Sequence, residues 1–338
     1  MPAAQPITGI LRLTRITTAF AAVGNLWFVI LWTRAHAEEP GTPALADQPL
    51  WLLLAGALVA GVGLYAYGAA LNDVVDATRD RALRRARPIP TGDATPDTAA
   101  LSVAGTLIVA LLGMSPLGSD AVMVTLLVAL GIVAFNIAGK FVPGFGLVLL
   151  GLIYAGQMIA ANPELRFVWP VVLVMTHALA TAALTHTLAR RSPRLSARAV
   201  AFAVLGWLVA VGVLLGLGSM RTFAEVGGGG GVDGASGLLL WPDWVALPAM
   251  AGPSALIVAF AVLALRRVRK HGRSERAAEK ISRYGALWPS LYGAAWLFGA
   301  GHTPEGFVMT GLAMAGLIGM TVLRELYGLV EHPVGYRR

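Results

Sequence analysis

Between Leu71 and Gly92 the chain reads Leu-Asn-Asp-Val-Val-Asp-Ala-Thr-Arg-Asp-Arg-Ala-Leu-Arg-Arg-Ala-Arg-Pro-Ile-Pro-Thr-Gly. This places a carboxamide and three carboxylates where an apolar segment meets a basic loop. At 3.6 residues per turn, Asn72, Asp73, Asp76 and Asp80 fall within about 100° of one helix face, so their oxygens converge. Convergent oxygens suit a hard cation such as Mg²⁺. A plainer reading pairs Asp76 with Arg79 and Asp80 with Arg84 as ordinary helix-surface ion pairs. It accounts for the arginines, but not for carboxylates sharing a face with Asn72 at the apolar end. There an ionisable residue costs up to ~3 kcal/mol unless it faces a cavity or a partner.

The elements that position this cluster are apolar helices. Of the 338 residues 57% are hydrophobic and 13% charged, with a mean hydropathy of +0.70. Soluble domains carry about twice that charge. Ten stretches have the roughly 20-residue length that spans a bilayer core as helix: 17–34, 50–71, 98–114, 119–138, 143–161, 167–189, 197–218, 243–266, 281–300 and 305–328. The shorter ones make the expected number of spans nine or ten. The expected fold is an all-α, multi-pass transmembrane bundle, with residues 1–338 as one membrane domain.

Cationic residues test this layout, because loops that stay cytoplasmic collect Lys and Arg. With the N-terminus inside, the inner segments hold Arg12 and Arg15; Arg79, Arg81, Arg84, Arg85 and Arg87; Lys140; Arg190, Arg191, Arg194 and Arg198; the cluster from Arg266 to Arg283; and Arg324, Arg337 and Arg338. Of the 26 cationic residues only Arg34, Arg166 and Arg221 fall outside. The net charge of +8 and the pI near 10.3 are thus a topology signal spread over short loops, not a nucleic-acid surface. The expected location is the cytoplasmic membrane, with the acidic cluster on the inner side. No cysteine is present, which excludes disulfides and thiolate metal sites. The first fifteen residues lack the order of a cleaved signal, so the first helix is read as an uncleaved anchor. Gly227 to Gly231 read as a flexible linker on the far side from the acidic cluster. The basic stretch Arg266 to Arg283 reads as an orientation determinant against anionic headgroups.

A charged, oxygen-lined pocket at the mouth of an apolar bundle is shaped for an amphiphile with an anionic head and a hydrocarbon tail. A prenyl diphosphate has that form. Mg²⁺ would bridge its oxygens to the carboxylates and favour ionisation of the C–O bond.

These residues resemble the UbiA-type membrane prenyltransferases, whose first signature is Asn-x-x-x-Asp-x-x-x-Asp followed by an Arg-Pro-(Leu/Ile)-x-x-Gly loop. Here the signature is Asn72, Asp76 and Asp80, then Arg87-Pro88-Ile89-Pro90-Thr91-Gly92. The resemblance extends to Leu13 to Trp27, with Arg15 and Asn25. It returns at Phe135-Asn136-Ile137-Ala138-Gly139-Lys140, where Phe135 stands in place of the usual Tyr. It implies a UbiA-like bundle and transfer of a prenyl group from a prenyl diphosphate to a hydrophobic or aromatic acceptor, with release of pyrophosphate. On this reading Asn72, Asp76 and Asp80 are catalytic and hold Mg²⁺ with Asp73 assisting, while Arg87 and Lys140 clamp the diphosphate.

The family's second acidic motif is missing. From Met175 to Ser196 there is no Asp or Glu, and Thr181, Thr185 and His186 are poor ligands for a hard cation. Either Arg190 and Arg191 contact the diphosphate directly, replacing one metal ion with fixed guanidinium charge, or the protein binds or translocates an isoprenoid without transferring it. Taken alone, the two arginines also fit simple positive-inside anchoring. His177 and His186 lie on nearly opposite faces of one helix, and a helix histidine commonly serves as a hydrogen-bonded packing residue; His186 is the better placed to act. Tyr65, Tyr67, Trp27 and Trp288 are candidates to line the cavity, with packing or interfacial anchoring as the alternative. An ion-coupled transporter would place ionisable groups near the bilayer midplane, whereas this cluster follows about 22 apolar residues and lies near headgroup level.

Overall fold

The computed structural model describes residues 19–83, 87–226 and 241–331. Arg12, Arg15, Arg84, Arg85, Gly227 to Gly231, Arg337 and Arg338 lie outside the described residues. The described chain is helical and contains no strand. Each of the ten apolar stretches carries a long helix: α1 Phe20–Ala35, α2 Leu50–Val75, α3 Pro96–Met114, α4 Ser119–Ile137, α5 Pro143–Ala161, α6 Trp169–Leu188, α7 Ala197–Val226, α8 Ala251–His271, α9 Glu275–Gly299 and α10 Thr303–Glu331. Eight of the described helices are long and apolar enough to cross a membrane. The described part of α1 is only 16 residues, and α9 carries Glu275, Arg276, Glu279, Lys280 and Arg283 in its first nine.

Burial sorts the helices. Leu26, Val29, Ile30, Leu31 and Trp32 of α1 are each 2% exposed or less, so this helix, apolar on all sides, is the centre of the bundle. Leu205, Leu208 and Val213 of α7 and Ile257, Val258 and Leu265 of α8 are exposed and form the lipid-facing rim. Small residues let backbones approach where apolar burial gives little drive between helices. A β-carbon on Gly56 of α2 would sit 2.6 Å from the Gly113 carbonyl oxygen of α3. A larger side chain at either position would part the two helices.

The end of the bundle reached by the C-terminus of α1 is closed by rings. Trp32 stacks on Phe167 at 5.0 Å, and Trp241, Trp244 and Trp296 pack around the pair. Glu39 is buried there and accepts hydrogen bonds from the backbone N–H groups of Arg166 and Phe167 and from the Trp32 indole. The opposite end carries the C-termini of α2, α4 and α6 and the N-terminus of α9.

The basic stretch Arg266 to Arg283, read as an inner loop, is almost wholly helical. α8 runs on to His271, three residues turn, and α9 starts at Glu275 with Ser274 Oγ capping the Ala277 N–H at 3.3 Å. Ala277, Ala278 and Ile281 are buried against Leu188 and Ala264. Apolar residues spaced one helical turn apart thus carry the charged stretch onto the bundle and bring Glu275 to its open end.

Candidate functional site

α2 ends at Val75, and Asp76 caps it before a second short helix, Ala77–Ala82. Helix periodicity divides the four oxygen-bearing residues, with Asn72 and Asp76 toward one edge of the face and Asp73 and Asp80 toward the other. Asn72 and Asp76 open on a cavity of about 910 Å³. Asp73 and Asp80 are 2% and 1% exposed and lie under Arg87, whose guanidinium is 3.7 Å from Asp73 Oδ1 and 3.8 Å from Asp80 Oδ2. Arg87 is held there by its own loop. Pro88 opens a single helical turn, Pro88–Thr91, and Ile89 is buried against Val74 and Ala77.

Lys140 occupies the space in front of the other two. Its ammonium is 2.8 Å from Asp76 Oδ1 and 3.4 Å from Asn72 Oδ1. It stands on a one-turn helix, Gly139–Phe141, pressed against α5 so closely that a β-carbon on Gly146 would collide with the Gly139 carbonyl. Asp76 therefore pairs with Lys140, not with Arg79, and Arg79 stacks on Phe141 at 5.6 Å.

The opposite wall is the end of α6. Ala189 caps the helix, the Arg190 N–H reaches Thr187 O at 3.2 Å, and the Arg191 N–H reaches His186 O at 3.2 Å. This pair of bonds is the Schellman arrangement, which puts the first residue past the cap in left-handed conformation and strongly favours glycine there. The residue is Arg190, with φ 49°. Strained backbone of this kind clusters at functional sites. Arg190 and Arg191 both line the cavity, and neither side chain has an ion-pair partner among the described residues. Two uncompensated guanidiniums thus face an acid–lysine pair across a cavity large enough for a diphosphate.

The two histidines differ. His177 Nε2–H donates to the Gly285 carbonyl at 3.0 Å, which leaves Nδ1 to accept from Tyr292 Oη at 3.3 Å. Both nitrogens are engaged, and the ring ties α6 to α9. His186 lines the cavity and donates Nε2–H to Pro193 O at 2.9 Å. Among the four aromatic candidates, Trp27 and Trp288 donate to Leu54 O and Leu256 O, and Tyr67 is buried against Ala129, so all three pack the bundle. Tyr65 borders a second chamber of about 690 Å³ that opens off the first along α6 and α9.

The donor set fits one Mg²⁺. That ion is commonly held by one or two protein carboxyl groups together with substrate phosphates and water. Asn72 and Asp76 present two hard oxygens to the cavity around an ammonium, so their lone pairs already converge on a cation. Among the described residues no three His, Cys, Asp or Glu side chains converge on a point.

No protein-family model matches the sequence, and no curated protein matches it either. Solved structures do share its architecture. A digeranylgeranylglyceryl phosphate synthase superposes with a TM-score of 0.50 at 17% identity, over 87% of this chain and 98% of its own. A UbiA homologue from Archaeoglobus fulgidus bound to DMAPP and Mg²⁺ gives 0.48 at 13% identity, over 93% and 99%. An apo UbiA homologue from Aeropyrum pernix gives 0.47 at 18% identity, over 87% and 98%. At these identities the likeness is one of fold. The chain is a multi-pass helical membrane protein with the UbiA-type fold.

One cavity-lining residue, Glu275, carries no motif in the sequence. Glu275 borders both chambers from α9, yet in the sequence it is one acid within a strongly basic stretch. The signal that marks it is Ser274, a helix-capping residue directly before the periodic pattern Ala277, Ala278, Ile281.

Proposed function

We propose that the protein transfers a prenyl group from a prenyl diphosphate to an acceptor and releases pyrophosphate. One observation carries the reading: a cavity at the mouth of an apolar bundle has two unpaired guanidiniums on one wall and an Asn–Asp–Lys cation site on the other. Arg190 and Arg191 take the diphosphate oxygens, supplying fixed charge where the second acidic motif is absent. Lys140 turns from Asp76 toward the bound anion and frees Asn72 and Asp76 to hold Mg²⁺. When bound, that ion neutralises negative charge growing on the leaving group. Arg87, which also lines the cavity, pairs with Asp73 and Asp80 and holds the end of α2. The cavity mouth lies on the cytoplasmic side, supported by the crowding of cationic residues at that end of the bundle.

The test is direct binding of geranylgeranyl diphosphate to detergent-solubilised protein, with and without Mg²⁺, for wild type and Asp76→Ala. Mg²⁺-dependent binding that is lost in the variant is expected. Binding with full turnover by Asp76→Ala at saturating Mg²⁺ would sink the assignment. Tight binding by wild type without turnover on any acceptor would favour an isoprenoid-binding protein, the reading to which the acid-free α6 gives some support.

A further inference from the structure

His36 and His302, 266 positions apart in the chain, meet at the ring-packed end of the bundle, opposite the diphosphate cavity. Their Nε2 atoms are 3.0 Å apart. Each ring is placed by a helix end. His36 caps α1: its backbone N–H donates to Trp32 O at 3.2 Å, and its Nδ1 lies 3.1 Å from the same oxygen. His302 follows Gly301, whose φ of 87° closes α9 with both Schellman hydrogen bonds, Gly301 N–H to Phe298 O at 3.0 Å and His302 N–H to Leu297 O at 2.8 Å. The next residue, Thr303, begins α10.

A carbonyl oxygen only accepts, so neutral His36 carries its proton on Nδ1 and its lone pair on Nε2, the atom nearest His302. Burial holds this ring below the ordinary histidine range, against the hydrogen bond to Trp32 O and the nearby carboxylates of Glu38 and Glu305. A ring nitrogen that donates to a backbone carbonyl while the other stays bare is the arrangement that orients metal-ligating histidines. The ring centroids are only 4.2 Å apart at an interplanar angle of 76°, so the rings do not meet end to end as in a straight N–H···N bond.

At metal–nitrogen bonds of about 2.0–2.1 Å, two nitrogens 3.0 Å apart subtend roughly 90° at a shared ion. A tetrahedral ion needs a wider angle. The spacing therefore fits neighbouring positions of a tetragonal ion, the preference of Cu²⁺ and Ni²⁺ with nitrogen and oxygen ligands. Glu39, the buried carboxylate close by, is already bonded to Arg166, Phe167 and Trp32. Water fills the remaining positions, since no third His, Asp or Glu side chain converges on the pair among the described residues.

We infer that His36 Nε2 and His302 Nε2 bind one divalent transition-metal ion of tetragonal preference, which ties the end of α1 to the turn between α9 and α10. On binding, the proton on His302 Nε2 passes to its Nδ1, so that both Nε2 lone pairs face the ion. The site is independent of the prenyl-transfer reading, and its test leaves that reading untouched.

The experiment titrates CuCl₂ into full-length protein in detergent, with any purification tag removed, and follows tryptophan fluorescence and electron paramagnetic resonance. Wild type is expected to bind one Cu²⁺ at this site, with quenching because the Trp32 and Trp244 rings lie 4.0 and 5.0 Å from His36. Its spectrum should be tetragonal with nitrogen couplings from two imidazoles. His36 is packed among these rings, so the substitution is made at half-buried His302. His302→Gln should weaken Cu²⁺ binding by about 100-fold or more, beyond the 10–100-fold cost of losing a group that merely orients a ligand. His271→Gln, at the opposite end of the bundle, should bind as wild type does. Ni²⁺ should raise the melting temperature of wild type by a few degrees and leave His302→Gln unmoved. The inference is overturned if the wild-type spectrum shows fewer than two imidazoles, a result that stands whether or not the variant folds. It is equally overturned if His302→Gln binds as tightly as wild type, if His271→Gln loses the ion, or if Ni²⁺ does not shift the wild-type melting temperature. The pair is then an imidazole–imidazole hydrogen bond that only packs the bundle end.

Discussion

Replacing Arg190 with glycine separates what the fold wants at the end of α6 from what the cavity wants. A non-glycine residue in left-handed conformation costs roughly 1–2 kcal/mol, and Arg190 has φ 49° with both Schellman hydrogen bonds formed. Glycine removes that strain but adds backbone freedom to the unfolded chain, which offsets about 0.5–1 kcal/mol. The net expectation for Arg190→Gly is a gain of about 0.5–1 kcal/mol, a rise in melting temperature of about 1 °C for a chain this long. Arg190→Ala keeps the strain and shows no such gain. On the proposed reading both variants also lose one charge-assisted hydrogen bond to the diphosphate, worth about 1.5–3 kcal/mol. Arg190 is exposed, so the lower value applies, and geranylgeranyl diphosphate should bind about tenfold more weakly to either variant. Calorimetric unfolding in detergent together with a diphosphate binding isotherm reads both quantities. Unchanged affinity in Arg190→Gly would reduce the residue to a topology charge, and a lower melting temperature would refute the strain argument.

Other outcomes follow from the same geometry. Arg87→Leu leaves Asp73 and Asp80 buried without their guanidinium, and should destabilise the protein by on the order of 3 kcal/mol in thermal unfolding; adding Asp80→Asn should recover part of that loss. Burial pushes Glu39 up to about 7 from 4.5, against the hydrogen bonds from Arg166, Phe167 and Trp32 that favour its ionised form. As pH rises from 4.5 to 7 the unfolded chain loses this proton first, so stability should fall by about 3 kcal/mol over that window and level off above it. Glu39→Gln should flatten that part of the stability profile; an unchanged slope would place the titration elsewhere. Gly113→Leu should part α2 from α3 and be lost on detergent extraction, whereas Gly113→Ala should survive with a lower melting temperature.

The sequence made the ten helices legible because each is a long apolar run whose length matches a bilayer. It also made Asn72, Asp76, Asp80 and Arg87 legible, because ionisable residues stand out sharply at the end of such a run. Other features arise only in three dimensions. The 3.6-residue period sets Asn72 and Asp76 toward one edge of a shared face and Asp73 and Asp80 toward the other, but only the folded loop shows that Arg87 covers the second pair. The Lys140–Asp76 pair joins residues 64 positions apart. Arg190 was legible as a candidate diphosphate contact at the end of an acid-free helix, but its left-handed conformation was not, because a backbone angle leaves no trace in composition. Glu275 was masked by the basic residues on either side of it.

The ring-packed end of the bundle, with Trp32 and Phe167 almost wholly out of contact with solvent, bears on the traffic through the cavity. The apolar side chains of α1 and the aromatic layer beyond them stand between the cavity mouth and the other face of the bundle, and among the described residues they separate the two. On the proposed reading, pyrophosphate would leave by the door through which the diphosphate came, and its release and the next loading would compete for the same opening.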